Sequence, residues 1–150
     1  MNDRYELLTS SVFSVYQSVL KIQRAEMVKF GLKGAHVSCL WNLSAYPEGL
    51  SVTQLSRLME KDKAAVSREL AELEKKGFVV PESVSAGGYR TRLRLTERGR
   101  EAAEFVRQRV AVAVRKAGAG LLDENREIFY SALALIASNL QNICQEGLDR

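Results

Sequence analysis

Between Leu50 and Gly99 the chain is punctuated so closely by helix caps, a tight turn and an alternating strand that few folds accommodate it. Ser51, with Gln54 three residues later, is a capping box in which each side chain satisfies an orphan amide at a helix start. Leu50 and Leu55 flank it at the positions of a hydrophobic staple, which fixes the angle of entry into the helix. Asp62 is placed to cap a second helix. Gly77 is placed to end that helix in the left-handed conformation that glycine adopts cheaply. Phe78 then falls where a Schellman closure takes an apolar contact back to Leu73. Two capped helices joined by about three residues predict a helix-turn-helix.

The second of these helices has two unlike faces. At about 100° per residue, Val66, Leu70 and Leu73 share a side and are predicted to pack inward. The other side carries Ala64, Arg68, Ala71 and Lys75, with Ala65 and Ser67 on its shoulders. Small residues at the start of such a helix let its backbone approach base edges, and a guanidinium such as that of Arg68 contacts guanine or phosphate bidentately. Taken alone, the same face also reads as an ordinary solvated surface.

The segment after this helix favours the first reading. Phe78-Val79-Val80 reads as a short strand, Pro81 to Gly88 as a turn with Gly87-Gly88 at its tip, and Tyr89 to Leu95 as a second strand. In the latter, Thr91, Leu93 and Leu95 alternate with Arg90, Arg92 and Arg94, the period of a strand with one buried and one polar face. A hairpin with an arginine face directly after a helix-turn-helix is a wing, suited to the minor groove or the phosphates beside it. The alternative is an edge strand protected by charge. Charge is localised accordingly: residues 51–100 carry eleven basic and seven acidic side chains, whereas the remainder is balanced at eleven of each. The whole formal charge of +4 therefore resides in the candidate reading head, the footprint expected of phosphate binding. Glu69, Glu72 and Glu74 on the same helix speak against indiscriminate adhesion to DNA.

These residues carry a family resemblance. Gly31-Leu32 before a helix ending near Tyr46, the Leu55-Ser56-Arg57-Leu58 helix, Lys63 to Leu73 with Gly77-Phe78-Val79, and Leu95-Thr96-Glu97-Arg98-Gly99 match the order and spacing of the multiple-antibiotic-resistance regulator (MarR) family. The chain resembles that family of bacterial transcription factors over nearly its whole length. The resemblance implies a mainly α fold with a β wing: a winged helix-turn-helix head at about residues 35–99, between dimerisation helices at about 5–29 and 100–146. It departs from the family at the wing tip, where an Asp-x-Arg pattern is replaced by Gly87-Gly88-Tyr89, with Arg90 one place later. Either Arg90 takes the minor-groove role after a one-residue shift, or the tip reads DNA differently.

The rest of the chain is consistent with one domain. One hundred and fifty residues, 46% hydrophobic and 27% charged, suffice for one core and are ordinary for a soluble globular chain. No apolar run reaches the roughly 20 residues of a membrane span and the N-terminus does not read as a signal peptide, so a cytoplasmic protein, nucleoid-associated when bound to DNA, is expected. Residues 5–29 read as a long helix with Leu8, Val12, Val15, Tyr16, Val19 and Ile22 in one stripe, ended by Gly31 with Met27 and Leu32 in apolar contact. A helix over about 35–45 is expected to bury Val37, Leu40 and Trp41. Thr96 caps a helix to about Lys116, with Ala102, Phe105, Val106, Val110 and Ala113 on its apolar side, broken by Gly118 and Gly120. A last helix from Asp123 to about Cys144 is rich in Phe129, Leu133, Ile136, Leu140 and Ile143.

The first and last helices are more apolar than one small head covers, so they are expected to pack on each other and on a second copy. A two-fold dimer meets a pseudo-palindromic double-stranded site in half-sites about one helical turn apart. The expected DNA contacts are Ala64, Ala65, Ser67 and Arg68 in the major groove, with Ser51, Thr53, Gln54, Lys63 and Lys75 on phosphates and Arg90 and Arg92 at the wing. The resemblance further implies a pocket for a small aromatic or amphipathic effector between the dimerisation helices and the head. Binding there would relieve repression by differential affinity for the two head spacings. Tyr16, His36, Cys39 and Trp41 are the candidates, each with a structural alternative: the aromatics and Cys39 as core, His36 on a helix's opening turn.

Enzymatic readings fare poorly. One histidine and two cysteines, Cys39 and Cys144, form no nucleophile–base–orienter set, metal cluster or disulfide framework. There is no glycine-rich phosphate loop, and no cofactor is expected. Two rivals of another kind remain: a winged helix that binds protein instead of DNA, and a regulator that senses oxidants through cysteine.

Overall fold

The computed structural model describes residues 3–83 and 91–148. Its elements run α1 (Asp3–Met27), a 3-10 turn (Val28–Phe30), α2 (Gly34–Ser44), α3 (Val52–Met59), α4 (Lys63–Lys75), β1 (Val79–Ser83), β2 (Thr91–Leu95), α5 (Glu97–Ala117) and α6 (Asp123–Glu146). The chain divides into two compact units, residues 1–111 and 112–150. Among the described residues no helix is long and apolar enough to cross a membrane.

In the first unit each predicted cap is made by the side chain expected. Ser51 Oγ accepts from Gln54 N–H at 3.2 Å while Ser51 N–H donates to Gln54 Oε1 at 2.9 Å, and Leu50 and Leu55 are both buried. Asp62 Oδ2 accepts from Ala65 N–H at 3.0 Å. Gly77 has φ +78°, and Phe78 N–H reaches back to Leu73 O at 2.9 Å. Val66, Leu70, Leu73 and Phe78 lie in the core with Leu40, Leu43, Leu55 and Val106. Phe30 stacks edge-on against Phe78 and Phe105, with centroids 6.5 and 5.6 Å away.

β1 and β2 pair antiparallel, in register Val79↔Leu95 to Ser83↔Thr91. β1 runs three residues further than expected, through Pro81 to Ser83. The reason lies in Leu93, whose N–H and C=O are both given to Leu50, at 2.8 and 3.1 Å. The Pro81↔Leu93 pair is thus of the non-hydrogen-bonded kind, and the nitrogen of Pro81 faces away from β2, where a missing N–H costs nothing. The predicted turn tip, Tyr89 and Arg90 lie outside the described residues.

One further expectation is corrected. Trp41 is not buried but 44% exposed. α2 already turns His36, Val37, Cys39, Leu40 and Leu43 inward, and that arc leaves the next position at its rim. On α1 only Gln23 and Met27 are buried; Val12, Val15 and Tyr16 of the predicted stripe are exposed. In the second unit, α6 has no buried residue, and its Phe129, Leu140 and Ile143 are open.

Candidate nucleic-acid interface

α4 sorts its residues as predicted. Val66, Leu70 and Leu73 are buried, while Lys63, Ala64, Ser67, Arg68, Ala71 and Lys75 are exposed and Ala65 is half-buried. The start of the helix carries small side chains at the surface, Ala64 and Ser67 with Ala65 beside them, which leaves room for its backbone to approach a groove closely. Ser51 and Gln54 spend their side chains on the α3 cap, leaving hydroxyl and amide edges at the surface, and Thr53 beside them is half-buried.

The acidic residues that temper α4 are partly accounted for from behind. Glu72 Oε2 lies 3.2 Å from His36 Nε2 and 3.8 Å from Lys33 Nζ. Glu69 takes Lys61 Nζ at 3.4 Å on one oxygen and the Cys39 thiol at 3.4 Å on the other. Both carboxylates thereby draw α4 onto α2 and its own preceding turn, away from the Arg68 face. Sequence reasoning missed this pair of links because His36 and Cys39 stand 36 and 30 residues from their partners, with no periodicity to connect them.

The basic residues divide in the same way. Arg94 Nε donates to Pro47 O at 2.9 Å and its terminal nitrogen to Glu82 at 2.9 Å. Lys76 donates to Gly31 O, Arg98 to Lys76 O and Arg100 to Leu95 O. Arg94, expected on the open face of the wing, is therefore committed to the fold. Lys63, Arg68, Lys75 and Arg92, by contrast, have no ion pair or side-chain hydrogen bond among the described residues. Arg90 lies outside them.

The four candidate effector residues do not converge. Tyr16 is exposed on α1, whereas His36 and Cys39 are buried between α2 and α4. His36 Nδ1 accepts from Lys33 N–H at 3.1 Å, so the neutral ring carries its proton on Nε2 and donates it to Glu72. Burial lowers the pKa of His36 from its ordinary value, with Glu72 pulling the other way. Burial, reinforced by the Glu69 carboxylate, pushes the Cys39 thiol up to about 12, which makes it a poor nucleophile. Trp41 alone lines a cleft, of about 350 Å³, with Tyr46, Pro47, Arg94, Arg100 and Arg107 among its walls. Arg107 is held there by both oxygens of Glu104 at 2.7 Å; that pairing, with Gln108 adding a bond, lowers the Glu104 carboxyl to about 2. Among the described residues no group of three or more His, Cys, Asp or Glu is placed to hold a metal ion.

Comparison with known proteins agrees with this architecture. The sequence model of the MarR family matches residues 30–88, the stretch from the end of the 3-10 turn into the wing. An uncharacterized HTH-type transcriptional regulator, YdgJ of Bacillus subtilis, is 30% identical over 104 residues; the match spans 69% of this chain and 63% of that relative's length. Among solved structures, the MarR family transcription regulator SP03579 superposes with a TM-score of 0.80 at 15% identity, covering 97% of this chain and 96% of that one. The Mycobacterium tuberculosis MarR family protein Rv2887 superposes at 0.63 with 26% identity, over 87% and 93% of the two chains. The ordered caps, the buried Leu73–Phe78 closure, the two-stranded wing and these likenesses agree: the chain belongs to the MarR family of winged helix-turn-helix transcriptional regulators.

Proposed function

We propose that the protein is a sequence-specific DNA-binding regulator that works as a homodimer on a pseudo-palindromic operator and represses until a small molecule relieves it. The observation that carries the DNA reading is the division of its cations. Arg94, Arg98, Arg100 and Lys76 are spent inside the fold, while Lys63, Arg68 and Lys75 on α4 and Arg92 on the wing hold no partner among the described residues. Ala64, Ala65, Ser67 and Arg68 would read the major groove, Arg68 by a bidentate contact to guanine. Ser51, Thr53, Gln54, Lys63 and Lys75 would take phosphates, and Arg92, with Arg90 beyond the described residues, would work at the wing.

Support for a homodimer comes from each unit separately. Tyr5, Phe13, Val15 and Tyr16 on α1, and Ile128, Phe129, Leu135 and Leu140 on α6, are all more than half exposed in the single chain. Apolar surface of that extent marks an interface. For the effector, the Trp41 cleft has the volume of a small-ligand site and offers an aromatic wall beside three guanidinium groups, chemistry that suits a small aromatic or amphipathic molecule.

Selection of genomic fragments by the purified protein tests the reading. Enrichment of an inverted repeat with half-sites about one helical turn apart is the expected result. Recovery of no fragment above background would sink it and favour a protein-binding winged helix.

A further inference from the structure

We infer that Arg94 is a positioning residue: by holding the Glu82 carboxylate it keeps the neighbouring Arg92 free to contact DNA. This rests on the DNA-binding reading above. In the β1–β2 register Glu82 stands directly across from Arg92, and Arg94 stands across from Val80. Residues directly opposite on an antiparallel pair have their Cβ atoms about 5 Å apart, so Arg92 is the carboxylate's natural partner and Arg94 only the diagonal one. The observed pairing is nevertheless the diagonal one, Arg94 to Glu82 at 2.9 Å.

The loop before α3 supplies the reason. Pro47 O accepts from Arg94 Nε at 2.9 Å, fixing the guanidinium from its other edge. Gly49, at φ +82°, lies so close beneath the side chain that a Cβ there would stand 2.6 Å from Arg94 Cγ. The Leu50–Leu93 bridge clamps the same loop onto β2. Arg94 is thus held by the loop and presented to Glu82, and a carboxylate already occupied is a weak competitor for Arg92. The side chains of both Arg94 and Glu82 are about half exposed, so the pair adds little to stability. Its consequence lies in which arginine is left over.

A double-mutant cycle tests this, read as operator affinity by fluorescence anisotropy. Arg94→Met keeps the aliphatic stem over Gly49 but releases Glu82. Capture of Arg92 by that carboxylate is expected to weaken binding about two- to fivefold, the range of an exposed ion pair. In a Glu82→Ala background the same Arg94→Met change is expected to cost nothing, because no carboxylate remains to capture Arg92. An equal loss in both backgrounds would mean that Arg94 itself touches DNA or only braces the wing, and would overturn the inference. A second readout needs no DNA: the Arg92 Nε–H resonance of the free protein should shift on Arg94→Met and stay put when Glu82→Ala is also present. A resonance unmoved by Arg94→Met overturns the inference even if the protein proves not to bind DNA. A resonance that moves as expected in a protein without operator selectivity would instead place the failure in the DNA reading.

Discussion

Gly99 lies against the carbonyl of Phe78 so closely that a Cβ on it would stand 2.1 Å from that oxygen. The same oxygen accepts the Thr96 N–H at 3.0 Å, and Thr96 Oγ1 accepts from Gly99 N–H at 3.1 Å while donating to Gly77 O at 2.7 Å. The end of α4, the start of β1 and the cap of α5 therefore meet at one crowded point. Gly99→Ala is expected to cost about 2–3 kcal/mol, as other overpacked core sites do. Gly118→Ala, whose Cβ would meet nothing nearer than 3.4 Å, should be close to neutral. Thermal denaturation checks both, and a Gly99→Ala protein as stable as the parent would contradict this packing.

Cys39 should be inert in the folded protein. With its thiol pushed from 9.0 to about 12, the thiolate fraction near neutral pH falls by about a thousandfold. In a Cys144→Ser background, which removes the exposed cysteine, a disulfide reagent at pH 8 should titrate no thiol natively and one after denaturation. Rapid native reaction of Cys39 would revive the oxidant-sensing alternative.

His36 should make stability depend on pH in one direction only. Its pKa is lowered in the fold, chiefly by burial. The unfolded chain therefore binds the proton more readily, and the contribution is complete above the unfolded value of 6.5 and lost as pH falls from there through the folded value. The groups that face it, Glu72, Lys76 and Glu69, modulate this without reversing the sign. His36→Asn keeps an acceptor for the Lys33 N–H but does not titrate. The stability difference between parent and variant, from urea denaturation, should shrink on acidification from about pH 7 to about pH 5; a gap that widens would contradict the assignment.

Local signals made much of the head legible. Caps act over three residues and strand alternation over two, so Ser51, Asp62, Gly77 and Leu93 announce themselves within a short window of sequence. Pro81 did not, because its tolerance in β1 depends on Leu93 being paired to Leu50, a fact about a third segment. Trp41 misled because α2 has more apolar residues than its inward arc accepts. Arg94 misled because alternation gives a face but not the partner waiting on it, here the Pro47 carbonyl. The His36–Glu72 and Cys39–Glu69 contacts were invisible for a simpler reason: only the folded chain brings α2 against α4.

Whether α4 reads DNA is decided by fluorescence anisotropy of the pure protein on its own upstream DNA and on a scrambled duplex, titrated with salt and repeated with Arg68→Ala. Tighter binding to the upstream duplex is expected, with a steep salt slope, since each neutralised phosphate contributes about 0.9 to it. Arg68→Ala is expected to lose about 1–3 kcal/mol of binding, with relaxed selectivity if the contact is to guanine. Binding that is equal on both duplexes, indifferent to salt and unchanged by Arg68→Ala would contradict a DNA-reading role for this helix.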